Sequence, residues 1–550
     1  MRHIQRLPVM MAIGIVLIAG CAIADRLGAA PSVIRMLLLG LGLAGIGLAG
    51  LMAASMRVST YQVAAGTGNG FASLPLLILA TLGCAASLPR PDMTGLVLVA
   101  GFALLAHGLV TAPALARAGG VSLGDVLARR FDNRLLAMLV ALAAATVALG
   151  LAMLAGERAI AALGRAADLS ATTSSLLVGA LAAAIVLPGG ARGVIAAAFV
   201  VAGWAVASWL LPLPGLLAAE PQRGALMWAA MAGFDAVAIV PADFAGWVLA
   251  GVGVLLFADT ALLGHRARTT ARCHAAAVIG LVLAVLTLTA IGGAVPMLTG
   301  RIAAQPVSDW PPSLFVGPNR GEALICGATP RDAADVARLC AGRLVEGHVP
   351  AAAIVVPRPE TGGWLASLLG QPSVVGSAYA LAIPFVLILT FALMLHQSAK
   401  LVAHDVIYRI TGRTGTASGR LALQRLIGLA IIGVIVAGLR PRLDGASEQA
   451  LTRLVLFVAA AVPLPLLLLA LWSRADGRAA LCGLFSAALA SIAYWTGHLP
   501  GGVGFLGGAL SGLAAGGLAA LVFPAGHSAG ADAAVLTGRA PGPLVLDRSA

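Results

Sequence analysis

The sequence predicts an all-α polytopic membrane protein with about thirteen transmembrane helices. Three observations carry this. Of the 550 residues 60% are hydrophobic and only 10% are charged, against roughly 25% charged in a soluble domain. Long apolar runs recur along the chain, most of them near the roughly 20 residues that a helix needs to cross hydrocarbon. The arginines gather between those runs rather than within them, as membrane topology requires. The formal net charge of +13 would suit nucleic acid, but no basic stripe with interleaved aromatics accompanies it, so no nucleic-acid partner is expected. The 68 glycines suit helices that approach one another closely in a bilayer.

The first 24 residues stand apart. Arg2, His3 and Arg6 precede a short apolar stretch from Leu7 to Gly20, and Ala22-Ile23-Ala24 fits the small-residue cleavage rule. Residues 1–24 thus read as a signal peptide cut before Asp25. "IAGC" (Ile18 to Cys21) offers a competing lipoprotein cleavage box, and an uncleaved extra helix is the third reading.

The candidate spans lie near 34–54, 71–88, 93–115, 135–155, 173–188, 193–212, 244–263, 275–298, 374–396, 424–440, 451–472, 479–496 and 503–523. Shorter ones must be tilted or broken. If the span at 34 starts outside, one set of loops holds Arg117, Arg129, Arg130, Arg134, Arg266, Arg268, Arg272, Arg409, Arg413, Arg420, Arg425, Arg474 and Arg478. The short loops of the other side hold only scattered arginines, such as Arg90, Arg158, Arg165, Arg223 and Arg442. That asymmetry puts the first set in the cytoplasm, the mature N-terminus outside and the C-terminus inside, as in a multi-pass protein of the cell (inner) membrane.

The long loop 299–373 is then external. In "TPRDAADVARLCAGRLV" Thr329 reads as an N-cap, Pro330 as the first helical residue and Asp332 as a first-turn acid. Val336, Leu339, Cys340 and Leu344 would form the apolar face of this short helix. Cys326 and Cys340 share the oxidising compartment and are expected to form a disulfide, the alternative being two buried free thiols. From Pro524 onward the tail is rich in small and polar residues and reads as a disordered cytoplasmic segment.

Motifs for chemistry are sparse. "YQVAAGTGNGFAS" (61–73) puts Gly66, Gly68 and Gly70 at alternate positions, but no lysine is near and both flanks are apolar. A phosphate loop needs a strand before it and a soluble helix after it, so no nucleotide site is expected. There is no HExxH motif and no CxxC pair, and neither enzymatic activity nor a cofactor is expected. "HQSAKLVAHD" spaces His396, Lys400 and His404 at i, i+4 and i+8 on one helix face, with Asp405 following. Lys400 is the chain's single lysine. It reads either as snorkelling to the cytoplasmic interface or as part of a proton-handling face. Asp259, in "GVGVLLFADTALLG", is either a carboxylate inside a span or a wetted acid pairing with Arg266 or Arg268.

Several separated motifs together resemble the sodium:solute symporter family, and within it the cation/acetate (monocarboxylate) permeases. "VSTYQVAAGTGNGFA" resembles the family's segment before the first core helix, and "VSLGDVLARRF" (121–131) its Thr/Ser-x-x-Asp-x-x-x-x-Arg-aromatic loop. "PGGARGVI" (188–195) resembles a "GGxxA" turn between two core helices, although the final Ala is out of register. "AHDVIYRITGRTGTASGRLALQRL" resembles the "HDLY" stretch with its arginine-bearing loop, and "LWSRADGRAALCG" a Trp-x-x-x-x-x-Arg-Gly/Ala turn.

The resemblance implies a leucine-transporter-type core of two inverted five-helix repeats. On these spans 34–54 precedes the core, 71–212 is the first repeat, 244–472 the second, and 479–523 holds two C-terminal helices. Such folds break the first helix of each repeat near the bilayer midplane. Gly66, Gly68 and Gly70 become the flexible approach to that broken helix, and Pro75 breaks it. The implied ion or substrate path runs past the Leu76 and Ile78 carbonyls, past Val386, Leu389 and Thr390, and past Asp259. Only Thr390 among the partner positions keeps the hydroxyl oxygen that a hard cation wants, so H+ is as plausible a coupling ion as Na+. The implied function is cation-coupled symport of a small solute such as acetate. The alternative is a transport-incompetent paralogue serving as a sensory or scaffold subunit. Nothing in the sequence sets an oligomeric state.

Overall fold

The computed structural model describes residues 7–63, 78, 81–83, 93–118, 122–210, 241–259, 274–275, 278–287, 300, 302–310, 315, 324–345, 347–350, 353–355, 374–408, 416–437, 445–498, 501–523 and 536. The first helices are α1 (Leu7–Arg26), α2 (Pro31–Met52) and the short α3 (Val58–Val63). Next come α4 (Met93–Ala106), which runs through a π turn (His107–Thr111) into α5 (Ala112–Ala118), then α6 (Leu123–Phe131) and α7 (Arg134–Ala167). They are followed by α8 (Ala171–Gly189), α9 (Ala191–Leu210) and α10 (Pro241–Asp259). Beyond a small loop helix, α11 (Ala333–Leu339), comes α12 (Val374–Lys400), which continues as a π-helical segment, Leu401–Tyr408. The chain then forms α13 (Ala417–Val436), α14 (Gly445–Ala461), α15 (Pro463–Leu471), α16 (Gly477–Trp495) and α17 (Gly501–Val522).

Local chemistry sets where these helices start and stop. Ser122, Asn133, Ser170, Thr416 and Asp476 each accept a hydrogen bond from a backbone amide two or three residues on. These polar caps satisfy amides that have no intrahelical partner. Pro31 and Pro463 stand in the first turn of α2 and α15, where a missing amide costs nothing. Pro463 also divides the expected span 451–472 into α14 and α15, because proline inside a helix removes a backbone bond and crowds the preceding turn.

Among the described residues, ten helical stretches are long and apolar enough to cross a membrane. They fall on ten of the expected spans. The spans expected at 244–263 and 275–298 correspond to the shorter apolar helices Phe244–Phe257 and Val278–Thr287, and 71–88 lies mostly outside the described residues. Two helices outrun expectation. α7 extends to Ala167 because its last turns still bury Ala159, Ile160 and Leu163, and α12 continues well past His396.

α12 is the axis of the fold. Nearly all of its residues are buried, with α7 as its principal neighbour and α2, α8, α9 and α13 around it. α10 packs on α4, α14 and α17, and α16 pairs with α17. α1 packs on α2, buries Cys21, and lets the Asp25 carboxylate accept from the Val374 amide at 3.3 Å.

Contacts between loops sort into two sets. One joins Asp25 to Val374 and Arg158 to Glu448. The other joins Tyr61 to Val186, Arg425 to Ser55, Arg130 to the 470–475 turn, and Arg117 to the carbonyl of Leu536 at 2.8 Å. Every pair links segments that the expected alternation of spans puts on one side. Leu536 is buried, so at this residue the C-terminal tail is packed rather than free.

The segment between the apolar helix Val278–Thr287 and α12 holds a small fold of its own. β1 (Leu324–Ile325) and β2 (Ile354–Val355) pair antiparallel, with Leu324 opposite Val355 and Ile325 opposite Ile354. Cys326 and Cys340 are joined by a disulfide with their Cα atoms 5.5 Å apart. The N-cap of α11 differs from expectation: Asp332, not Thr329, accepts from the Asp335 amide at 2.7 Å, and Asp335 in turn accepts from the Arg331 amide at 2.9 Å. Two carboxylates in reciprocal register make the stronger stop, so the helix begins later. Val336 and Cys340 are buried as the apolar face requires, but Leu339 is exposed.

Candidate functional site

Three of the separated motifs meet at Tyr61. This residue of α3 is fully buried, and its hydroxyl donates to the Val186 carbonyl at 3.0 Å. Burial pushes its phenol up to about 12, although Arg425 beside it pulls the other way. The phenol therefore stays a protonated donor at physiological pH. The Tyr61 ring stands edge-on to His396 with centroids 5.7 Å apart, and the Arg425 guanidinium lies 5.1 Å from its centroid. Such a cation–ring contact gains where water is excluded. The turn after α8 makes room for the tyrosine at Gly190, whose φ is +55°; a Cβ there would lie 2.3 Å from the Tyr61 carbonyl oxygen.

Next to it, Gln62 donates to Gln424 Oε1 at 3.2 Å, and His396 Nε2 lies 3.3 Å from the Gln62 carbonyl. A carbonyl only accepts, so this contact assigns the ring proton to Nε2. Arg425 also donates to the Ser55 carbonyl at 3.1 Å. α3, the turn between α8 and α9, and the end of α12 with the start of α13 thus close on one another through buried polar contacts.

The α12 face below this node corrects two expectations. Lys400 does not snorkel: it is fully buried, as are His396 and Asp405. Nor do His396, Lys400 and His404 share one face. Beyond Lys400 the helix widens into its π segment, in which i and i+5 rather than i and i+4 come into register. Asp405 takes the inward place below Lys400, while the His404 side chain is 22% exposed, with its Nε2 4.0 Å from Asp405 Oδ1. Lys400 lies four residues beyond His396 and five residues before Asp405.

A second junction is architectural. Arg130, from "VSLGDVLARRF", is buried and donates to the carbonyls of Ala470, Trp472 and Ala475 at 2.9, 2.9 and 3.1 Å. Its planar fork closes the carbonyl-rich end of α15 in the "LWSRADGR" turn. Two more of the sequence motifs are thereby joined, here by a cap.

Of the expected ion path, Ile78, Val386, Leu389 and Thr390 are buried. Thr390 Oγ1 donates to the Val386 carbonyl at 2.8 Å within its own helix. The residue facing it is Gly83: a Cβ there would lie 1.7 Å from Thr390 Oγ1. The segment 81–83 therefore crosses α12 in direct contact at Thr390. Leu76, Gly66, Gly68, Gly70 and Pro75 lie outside the described residues. Asp259 is the last described residue of α10, and its side chain lies outside the description. Among the described residues no three His, Cys, Asp or Glu side chains gather as a metal site. A formal GxSxG string, GHSAG at 526–530, also lies outside the described residues.

No protein-family model matches the chain, and no curated protein matches it in sequence. Solved structures do. A Na+-coupled sialic acid symporter, in its substrate-bound outward-open state, matches with a TM-score of 0.67 at 15% identity, over 90% of this chain and 98% of that one. The chain has this symporter's fold. An Eremococcus coleocola manganese transporter, as its H236A mutant, matches at a TM-score of 0.42 and 13% identity over 88% and 96% of the two chains, too low to bear on the comparison.

Sequence reasoning quoted every motif of the Tyr61 node without joining them. It passed over Gln62, Gln424 and Gly83. A buried glutamine pair and a glycine opposite a threonine leave no periodic trace in one sequence.

Proposed function

We propose that the chain is a secondary active transporter that carries a small solute by cation-coupled symport across the cell membrane, with a short-chain monocarboxylate such as acetate as the solute. The observation that carries this reading is the fold shared with a Na+-coupled symporter over nine-tenths of the chain. The sequence resemblance to monocarboxylate permeases supports the solute class. Thr390, packed on Gly83 deep in the bundle, supports a path between α12 and the 71–88 segment. Val386 and Leu389 supply no side-chain oxygen there, which weakens a sodium site and leaves H+ and Na+ both to be tried.

The test is uptake of labelled acetate into proteoliposomes under separately imposed proton and sodium gradients. Accumulation above equilibrium under one gradient is the expected result. Uptake equal to that of empty liposomes under both gradients, for acetate and other short monocarboxylates, rejects the solute. Failure with a broader panel of solutes favours the sensory or scaffold role.

A further inference from the structure

Of the chain's 35 basic Lys and Arg residues, all but Lys400 are arginines, and that one lysine is fully buried. Arginine does not release its proton in a protein, whereas a buried lysine can. The π-helical segment brings Asp405, five residues on and equally buried, into register with it. A π turn costs helix geometry and is frequent at functional positions. An α-helical continuation would have turned the His404 imidazole toward Lys400 instead.

The other elements packed on this stretch bring few titratable groups among the described residues. α3 contributes Tyr61, and α13 contributes Arg425 and Arg420, the latter 5.5 Å from the Tyr408 ring centroid. α7, which packs along the π segment, has Arg134 as its only charge before Glu157. α8 has no charge, and α9 has Arg192 beside the Gly190 turn. His396 and His404 complete the set from α12 and its extension.

We propose that Lys400 and Asp405 form an internal proton-exchanging pair at the end of the bundle that the arginine bias assigns to the cytoplasm. The inference rests on the transporter reading and makes H+ the coupling ion. With Lys400 as the ammonium, the pair is neutral overall and the Tyr61–Gln62–His396–Gln424 contacts stay shut over it. When an N–H bond of the ammonium breaks, its electron pair stays on Nζ and the proton leaves to cytoplasmic water. The buried Asp405 carboxylate then loses the neighbouring ammonium charge, which raises the cost of keeping it from water. Opening of the α3–α12–α13 junction to water relieves it. Proton release and opening are thereby linked.

Two measurements test this, one of them independent of transport. An amine-reactive probe reads Lys400 directly by mass spectrometry of the full chain, since no other side chain carries an amine of this kind. A neighbouring carboxylate favours the ammonium, so in Asp405→Asn labelling of Lys400 should set in at lower pH than in the parent. The same pH dependence in the two proteins, or no labelling of either, overturns the proposal whatever the protein transports. In proteoliposomes, Lys400→Arg keeps the charge and loses the exchangeable proton. It should abolish proton-driven accumulation while solute counterflow continues, and Lys400→Gln with Asp405→Asn, which leaves no buried charge, should do the same. Full proton-driven accumulation in either variant overturns the proposal. A shift of labelling in Asp405→Asn without uptake of any solute by the parent would uphold the pair and reject the transporter reading instead.

Discussion

Replacing Gly190 by alanine should break the junction around Tyr61. At φ +55° a residue with a Cβ is strained, by about 1–2 kcal/mol. The added methyl would also lie 2.3 Å from the Tyr61 carbonyl oxygen and 2.8 Å from its ring, and overpacking of this kind costs about 1–3 kcal/mol more. The sum is about 2–5 kcal/mol, a large share of what holds a folded chain together. Because the nearest atom belongs to the backbone, trimming the ring with Tyr61→Ala should not rescue the variant. Gly203→Ala is the control: a Cβ there meets nothing within 4 Å, and in a helix alanine is favoured over glycine by about 1 kcal/mol. The assay is the thermal midpoint and the monodisperse fraction in detergent. Gly190→Ala should melt well below the parent and Gly203→Ala at or above it. Equal melting of the two alanine variants, or rescue by Tyr61→Ala, would refute the steric argument.

Arg130→Met should cost about 1–3 kcal/mol for each carbonyl left without a donor, with Arg130→Lys between it and the parent; a parental melting curve for the methionine variant would show that the guanidinium holds nothing. Cys326→Ser should raise the protease sensitivity of the loop that carries it while the helix bundle melts unchanged, because the bridge spans only 14 residues and contributes about 3 kcal/mol in the chain-entropy model; two free thiols in non-reducing mass spectrometry of the parent would contradict it. Asp259→Asn should leave the pH profile of uptake in place at equal expression if Lys400 carries the proton, and a flattened profile in that variant would move the role to Asp259.

The sequence by itself determined the membrane class, ten of the expected spans and the pairing of Cys326 with Cys340. Each depends on local composition or on compartment, and an apolar run of about 20 residues has one way to satisfy its backbone in lipid. Even caps such as Ser122 and Asn133 are local signals. Tertiary structure decided the rest. Whether Lys400 reaches water depends on the elements packed around α12, among them α13, and α3, which meets α12 at His396 from more than 300 residues away in the chain. Which of His404 and Asp405 faces inward turned on a single added residue per turn in the π segment, and periodicity read as 3.6 residues cannot register that shift. The contact of Gly83 with Thr390 and of Gly190 with Tyr61 likewise joins positions far apart in the chain. A missing side chain signals nothing until the partner that fills its place is known.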